Sequence, residues 1–332
     1  MKRTACCLLV LTASFAAAFQ GAKKPPEVFT DPDKAGFEFA VQGEYEGEIA
    51  REKYGLQIIA LGDKKFEAYL LAGGLPGAGW DGKTRVKLTG TLDDSVGKSV
   101  VAADFKGDGW AGEAAVGRPS TFKGKSPKGE EFSLKQVFRQ SPTLGEKPPK
   151  GAVVLFDGSG VAEWNGGKLV EDKLLGPGAT TKKAFGDCKL HVEFRLPFKP
   201  AGRGQNRGNS GVYLQQRYEI QILDSFGLAP RNNDCAAVYE QTPPSVNVCF
   251  PPLSWQTYDI EFRAARFDAD GKKTANAVVT VLHNGVMVHD RVEIKGPTGH
   301  GKEEKNTPGP INLQNHGNPV HFRNVWLVET KE

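Results

Sequence analysis

The stretch Cys188-Lys-Leu-His-Val-Glu-Phe-Arg-Leu196 decides the fold class. Leu190, Val192, Phe194 and Leu196 fall on one side of an extended chain, and Lys189, His191, Glu193 and Arg195 on the other. That period of two marks a strand with one buried face. Tyr258, Ile260 and Phe262 repeat the pattern, as do residues 286–293 behind His283-Asn284-Gly285, whose Asn-Gly pair suits a tight hairpin. In residues 320–327 the apolar parity slips between Phe322 and Val325, and a bulge at Arg323-Asn324 explains the slip. About ten such strands with turns between them, and no helical period, predict a two-sheet sandwich.

Composition agrees with this reading. The 40 glycines and 21 prolines in 332 residues exceed the average combined share of about 12%. With only 2 methionines and a mean hydropathy of −0.40, the chain is rich in turns rather than long helices. At 39% hydrophobic residues, including 19 phenylalanines, it can bury a core, which excludes global disorder. Its length suggests roughly two domains at about 150 residues each.

Residues 1–20 read as a secretory leader: Lys2 and Arg3, an apolar stretch from Ala5 to Ala17, and an A-x-A cleavage site at Ala16-Ala17-Ala18. The apolar run is shorter than the ~20 residues of a membrane span, and no later segment is a candidate. The mature chain is expected to be exported. Lys2 and Arg3 supply part of the formal +4, and the remainder is nearly balanced. That balance excludes the basic footprint of a nucleic-acid binder. Cys188, Cys235 and Cys249 follow the leader. Export permits a Cys235–Cys249 disulfide, closing about 15 residues for ~3 kcal/mol. Three small buried hydrophobes are the equal alternative, and no Cys/His spacing suggests zinc.

Ser141-Pro-Thr-Leu-Gly-Glu-Lys-Pro-Pro-Lys-Gly151 has linker composition. It separates residues 28–140 from residues 152–330. The first part reads as a small antiparallel β-domain with strands at 37–45, 55–61, 66–72, 85–91, 100–105 and 132–138. Its glycine-rich turn at 73–82 lacks the GxxxxGK[ST] of a phosphate loop. No constellation of reactive residues stands out in this part. In the second part, polar loops at 199–208, 226–234 and 296–309 are long enough to suggest function.

The most informative segment is Tyr218-Glu-Ile-Gln-Ile-Leu-Asp224, preceded by Asn209-Ser-Gly-Val-Tyr213. Glu219 and Gln221 share one strand face, with Tyr218, Ile220 and Ile222 on the other. A bulge at the strand end would turn Asp224 toward Glu219. Two carboxylates of unequal environment on one face are what glycosyl chemistry requires. A solvated polar row is the competing reading.

At this point residues 151–329 resemble the 3-keto-disaccharide hydrolase family. The resemblance rests on Val154-Leu-Phe-Asp-Gly158, the two segments above, Trp255-Gln-Thr-Tyr-Asp-Ile260, His283-Asn-Gly285, Pro310-Ile-Asn-Leu-Gln-Asn-His-Gly317 and Phe322-Arg-Asn-Val325. It implies an all-β, concanavalin-A-like jelly-roll sandwich with a sugar site on its concave face. It also implies action on 3-keto-glycosides, by 1,2-elimination, by hydration of the resulting 3-keto-2-hydroxyglucal, or by both. The Glu-x-Gln-x-x-Asp run is similar as well to the Glu-x-Asp-x-x-Glu strand of jelly-roll β-glucanases. Gln221 and the shorter Asp224 depart from that pattern.

A 3-keto group acidifies the C2 proton, so one base can form an enolate whose collapse expels the C1 substituent. Glu219 is the first choice for the base and Asp224 the second. His316 is the candidate acid, with Gln314 and Arg323 as partners of the enolate oxygen. Asn209, Tyr213 and Gln221 are candidates for sugar hydroxyls, and Trp255 for ring stacking. A divalent metal is a candidate cofactor, with Glu219, Asp224 and His316 as ligands. A non-catalytic lectin-like module and a conventional glycosidase are the alternative functions.

Overall fold

The computed structural model describes residues 27–93, 102–171 and 173–330. The leader at 1–20 lies outside these residues. Among them, no helix is long and apolar enough to cross a membrane. The molecule is nearly all β, in two bodies joined by the 141–151 segment.

The first body is a closed antiparallel barrel. Its strands are β1 (Gly43–Ile49), β2 (Glu52–Gly62), β3 (Lys65–Ala72), β4 (Arg85–Asp93), β5 (Ala102–Gly107), β6 (Trp110–Ala115), β7 (Thr121–Lys125) and β8 (Glu131–Val137), with β8 returning to pair β1. The sequence reading changes in two places. Residues 37–45 are not one strand: Gly36–Val41 is a short helix, and β1 starts at Gly43. The helix buries Val41 and packs Phe37 and Phe39 against the barrel core. Strands β6 and β7 give no clear alternation in the sequence because they are weakly apolar and carry glycine. Those glycines make room for rings: a Cβ on Gly112 would sit 2.5 Å from Phe122, and one on Gly124 would sit 2.5 Å from Phe132. Phe66, Phe105, Phe122 and Phe132 accordingly form a ladder with centroids 5.6–6.0 Å apart.

The second body is the sandwich. In chain order its strands are β9 (Val153–Phe156), β10 (Trp164–Asn165), β11 (Leu169–Val170), β12 (Leu174–Leu175), β13 (Ala179–Thr181), β14 (Cys188–Arg195), β15 (Asn209–Leu214), β16 (Tyr218–Leu223), β17 (Trp255–Arg263), β18 (Arg266–Phe267), β19 (Lys273–Ala275), β20 (Ala277–His283), β21 (Val286–Ile294), β22 (Asn312–Leu313) and β23 (His321–Glu329). One sheet runs β10-β13-β22-β15-β16. The larger runs β11-β12-β23-β14-β17-β20-β21, with β9 also on β23, and β18-β19 form a separate pair. Between the sheets lies one core to which Leu190, Val192 and Phe194 of β14 and Tyr218, Ile220 and Ile222 of β16 all belong.

The expected bulge is present. Register against β14 shifts between His191 and Glu193, and Asn324 takes φ 43°, so the parity of β23 changes there. The hairpin at Asn284 (φ 51°) and Gly285 (φ 77°) has both turn residues left-handed, as the Asn-Gly pair requires. Cys188, Cys235 and Cys249 are free and buried among the core residues, so the Cys235–Cys249 disulfide is not formed and the alternative of three small core residues holds.

Candidate active site

Strands β15 and β16 are buried along their whole length on both faces. One face belongs to the core. The other carries Asn209, Gly211, Tyr213, Glu219 and Gln221, and it is roofed by loops. Tyr213 pairs with Glu219 across the two strands, and Gly211 pairs with Gln221. The glycine is required here, because a Cβ at 211 would lie 2.0 Å from Glu219 Oε1.

Glu219 is 2% exposed. The Tyr213 hydroxyl donates to its Oε2 at 2.7 Å, and its backbone N–H donates to Thr298 Oγ1 at 2.6 Å. Burial pushes the carboxyl up to about 7; the Tyr213 hydrogen bond opposes the shift and Glu240 adds to it. Burial and the neighbouring Glu219 also raise Tyr213, which stays a protonated donor. A carboxyl poised near neutrality can both take and return a proton.

Three loops close this face. From the 296–309 loop, Thr298 N–H donates to Arg217 O at 3.0 Å, and the Arg217 guanidinium donates to Thr307 O at 3.0 Å. From the 231–240 segment, Tyr239 N–H donates to Glu219 O and Gln221 N–H to Ala237 O, which satisfies the free edge of β16. From the 199–208 loop, Gln205 Oε1 accepts from Asn209 Nδ2 and from Gln221 Nε2, each at 2.9 Å. Two buried acceptors on this face, Asn209 Oδ1 and Gln314 Oε1, have no partner among the described residues. Buried polar groups are paired as a rule, so these oxygens suit the hydroxyl donors of a ligand.

Other expected residues sit differently. Asp224 Oδ2 accepts from Arg207 Nε at 2.7 Å, and Oδ1 accepts from Phe226 N–H at 3.2 Å, with the side chain fully buried. This carboxylate is committed to an ion pair at the end of β16. His316 is exposed, two residues beyond Gln314. Arg323 and Trp255 belong to the larger sheet and face away from the core, on the side opposite Glu219. Arg323 stacks on Trp255 at 4.0 Å and donates to Glu193 Oε2 at 2.7 Å. Alternation alone does not say which sheet each strand joins, so the sequence pattern places residues of two outer faces in one site. No local pattern singles out Thr298, Tyr239 or Gln205, although Thr298 and Gln205 lie in loops whose length suggests function.

The expected metal ligands do not converge, since Asp224 is engaged by Arg207 and His316 is exposed. A different group does: Glu146, His191 and Asp259 bring ligand atoms within 4.8 Å of one another on the outer face of the larger sheet. The 141–151 segment crosses this face, with Thr143 Oγ1 donating to Asp259 at 2.7 Å and Gly145 N–H donating to Glu193 at 2.6 Å. Burial works against a charge on His191, but Asp259 and Glu193 outweigh it and raise its pKa to about 9.

Comparison with known proteins now bears on this geometry. A model of the 3-keto-alpha-glucoside-1,2-lyase-like domain matches residues 151–328. The chain is similar to a "putative glycosyl hydrolase" of Parabacteroides distasonis at 35% identity and a TM-score of 0.50, over 55% of this chain and 85% of that one. Two further structures of the same description and organism are 20% and 17% identical, with TM-scores of 0.38 and 0.40. They cover 54% and 55% of this chain and 99% and 95% of theirs. No curated protein matches the sequence. The match spans more than half the chain and contains every residue of the roofed face, so the chain belongs to the family of 3-keto-alpha-glucoside-1,2-lyase-like domains.

Proposed function

We propose that this protein is an exported enzyme that cleaves 3-keto-glycosides by removing the C2 proton and eliminating across C1–C2. The observation that carries this reading is Glu219: a buried carboxyl, titrating at about 7, hydrogen-bonded to Tyr213 on the roofed face of a domain in this family. Export rests on the leader pattern of residues 1–20.

Glu219 Oε1, the oxygen not bonded to Tyr213, takes the C2 proton. The C2 electron pair first forms the enolate with the 3-keto group, then the C1=C2 double bond as the C1–O bond breaks. The aglycone leaves with that oxygen and takes up a proton, and a 3-keto-2-hydroxyglucal remains. In the hydration direction Glu219, its proton exchanged with water after the aglycone has left, delivers a proton to C2 while water adds at C1 as hydroxide and its second proton passes to solvent. Glu219 serves both halves because its pKa lies near the working pH. Asn209 and Gln314 accept hydroxyls of the sugar through their unpaired amide oxygens. Asp224 orders Arg207 and the strand end rather than acting as a base. With loops closed over Glu219, substrate entry requires the 296–301 roof to lift, and Gly296, Gly299 and Gly301 give that segment the freedom to do so.

A divalent cation, where bound, would polarise the ketone and favour the enolate. The ligand set expected on the Glu219 face does not assemble there, and no step above depends on a metal.

The test compares a glucoside with its 3-keto derivative while following the absorbance of the enone product. Turnover confined to the 3-keto compound is expected. Turnover of the unoxidised glucoside would point to a conventional glycosidase, and binding of either without turnover to a lectin.

A further inference from the structure

Several contacts between barrel and sandwich fall on the two loops that flank the Glu219 face, while others join Gly77 to Val286 and Leu253 to the barrel core. In the 199–208 loop, Arg203 donates to Leu61 O at the end of β2 and to its own Pro200 O. Gly62 lies so close to this loop that a Cβ there would sit 3.2 Å from Ala201. In the 224–234 loop, Gly227 rests on Ile59, where a Cβ would approach Cδ1 to 2.5 Å, and Arg85 donates to Gly227 O. Phe198, which leads into the first loop, is buried in the barrel's own core. Between the loops stands Arg207, with Nε on Asp224 and Nη2 3.3 Å from Oε1 of Gln42, a barrel residue only 3% exposed.

We propose that the barrel is a positioning domain for the sugar site, and that Gln42, acting through Arg207 on Asp224, is its central positioning residue. The proposal rests on the reading of the Glu219 face as that site. Gln205, which orients Asn209 and Gln221, lies on the loop that Arg203 and Arg207 fasten, so the contact propagates to the residues facing the sugar. Gln42 works through its oxygen alone. Oε1 accepts from Ala60 N–H at 3.0 Å as well as from Arg207, while Nε2 has no partner among the described residues. Replacing that nitrogen by oxygen therefore sacrifices no hydrogen bond, whereas removing the carbonyl leaves a buried guanidinium arm and an N–H unpaired.

The test uses the full mature chain carrying Gln42→Leu, Gln42→Glu or Arg85→Met, with amide hydrogen exchange across residues 199–210 and 224–234 and kinetics on a 3-keto-glucoside. In Gln42→Leu, exchange in both loops and KM should each rise about tenfold, the scale of one lost hydrogen bond to a charged group, with kcat little changed. Gln42→Glu should restore both values. Arg85→Met should loosen the 224–234 loop alone, and it supplies the reading if Gln42→Leu does not fold. Wild-type exchange and KM in Gln42→Leu, or failure of Gln42→Glu to differ from it, would overturn the proposal. Absence of wild-type turnover on 3-keto-glucosides would refute the function, yet the exchange data would still decide whether the barrel holds the loops.

Discussion

Strand β8 of the barrel and strand β16 of the sandwich share an alternating pattern but use it in opposite ways. In β8 every second residue is buried and the others are largely in solvent. In β16 all six residues are buried, although Glu219 and Gln221 are as polar as the exposed residues of β8. The difference comes from what lies over the second face. Water covers the outside of the barrel, whereas three loops cover Glu219 and strip it of solvent, which is what moves its pKa. A polar row becomes chemistry when something dry is placed over it.

The largest effect that could break this contrast is at Glu219 itself. Glu219→Gln keeps an acceptor for Tyr213, so the fold should survive while turnover falls by about a thousandfold or more, the range of a lost general base. A variant with wild-type activity would remove Glu219 from its role.

A pair of glycines sharpens the contrast. Gly211→Ala drives a methyl against Glu219 Oε1 and should cost about a hundredfold in kcat, as misplaced catalytic groups do. Gly112→Ala in β6 drives one against Phe122 and should cost about 1–3 kcal/mol of stability by overpacking, with kcat unchanged. Thermal unfolding and kinetics on both variants check the assignment, and equal kinetic losses would refute it.

The pH dependence follows from the same burial. Glu219 titrates at about 7 when folded, against an ordinary value of 4.5. The fold bears no penalty below the ordinary range, and the cost grows as the pH rises through about 7. Glu219→Gln removes that cost, so its stability relative to wild type should climb between pH 5 and pH 8 by up to about 3 kcal/mol. Wild-type activity should rise through the same range, since the base must be ionised. A stability difference that does not vary with pH would contradict the burial argument. The smallest effect is expected at Trp255→Leu, on the far sheet: KM should stay within about twofold, because no sugar contact is lost there. A large rise in KM would return Trp255 to the sugar site.

These comparisons show what was legible beforehand. The Cys188–Leu196 alternation, the bulge at Asn324 and the Asn284-Gly285 hairpin could all be read, because each is a local rule of backbone geometry. The shared face of Glu219 and Gln221 was readable for the same reason. Closure of the barrel was not, since β6 and β7 contribute glycines and one aromatic ladder that only exists across strands. Nor could the sequence separate Arg323 and Trp255 from Glu219, because which sheet a strand joins is a long-range fact. Asp224 looked free as a residue type, but seventeen positions earlier Arg207 had already claimed it.

The central claim is that Glu219 removes the C2 proton, and one labelling measurement addresses it. A 3-keto-glucoside carrying deuterium at C2 would be incubated with wild type and with Glu219→Gln, and its label and free aglycone followed by mass spectrometry. The account predicts that wild type loses the C2 deuterium to water in step with release of the aglycone, while Glu219→Gln does neither. Aglycone released from wild type with the deuterium still on C2 would contradict it.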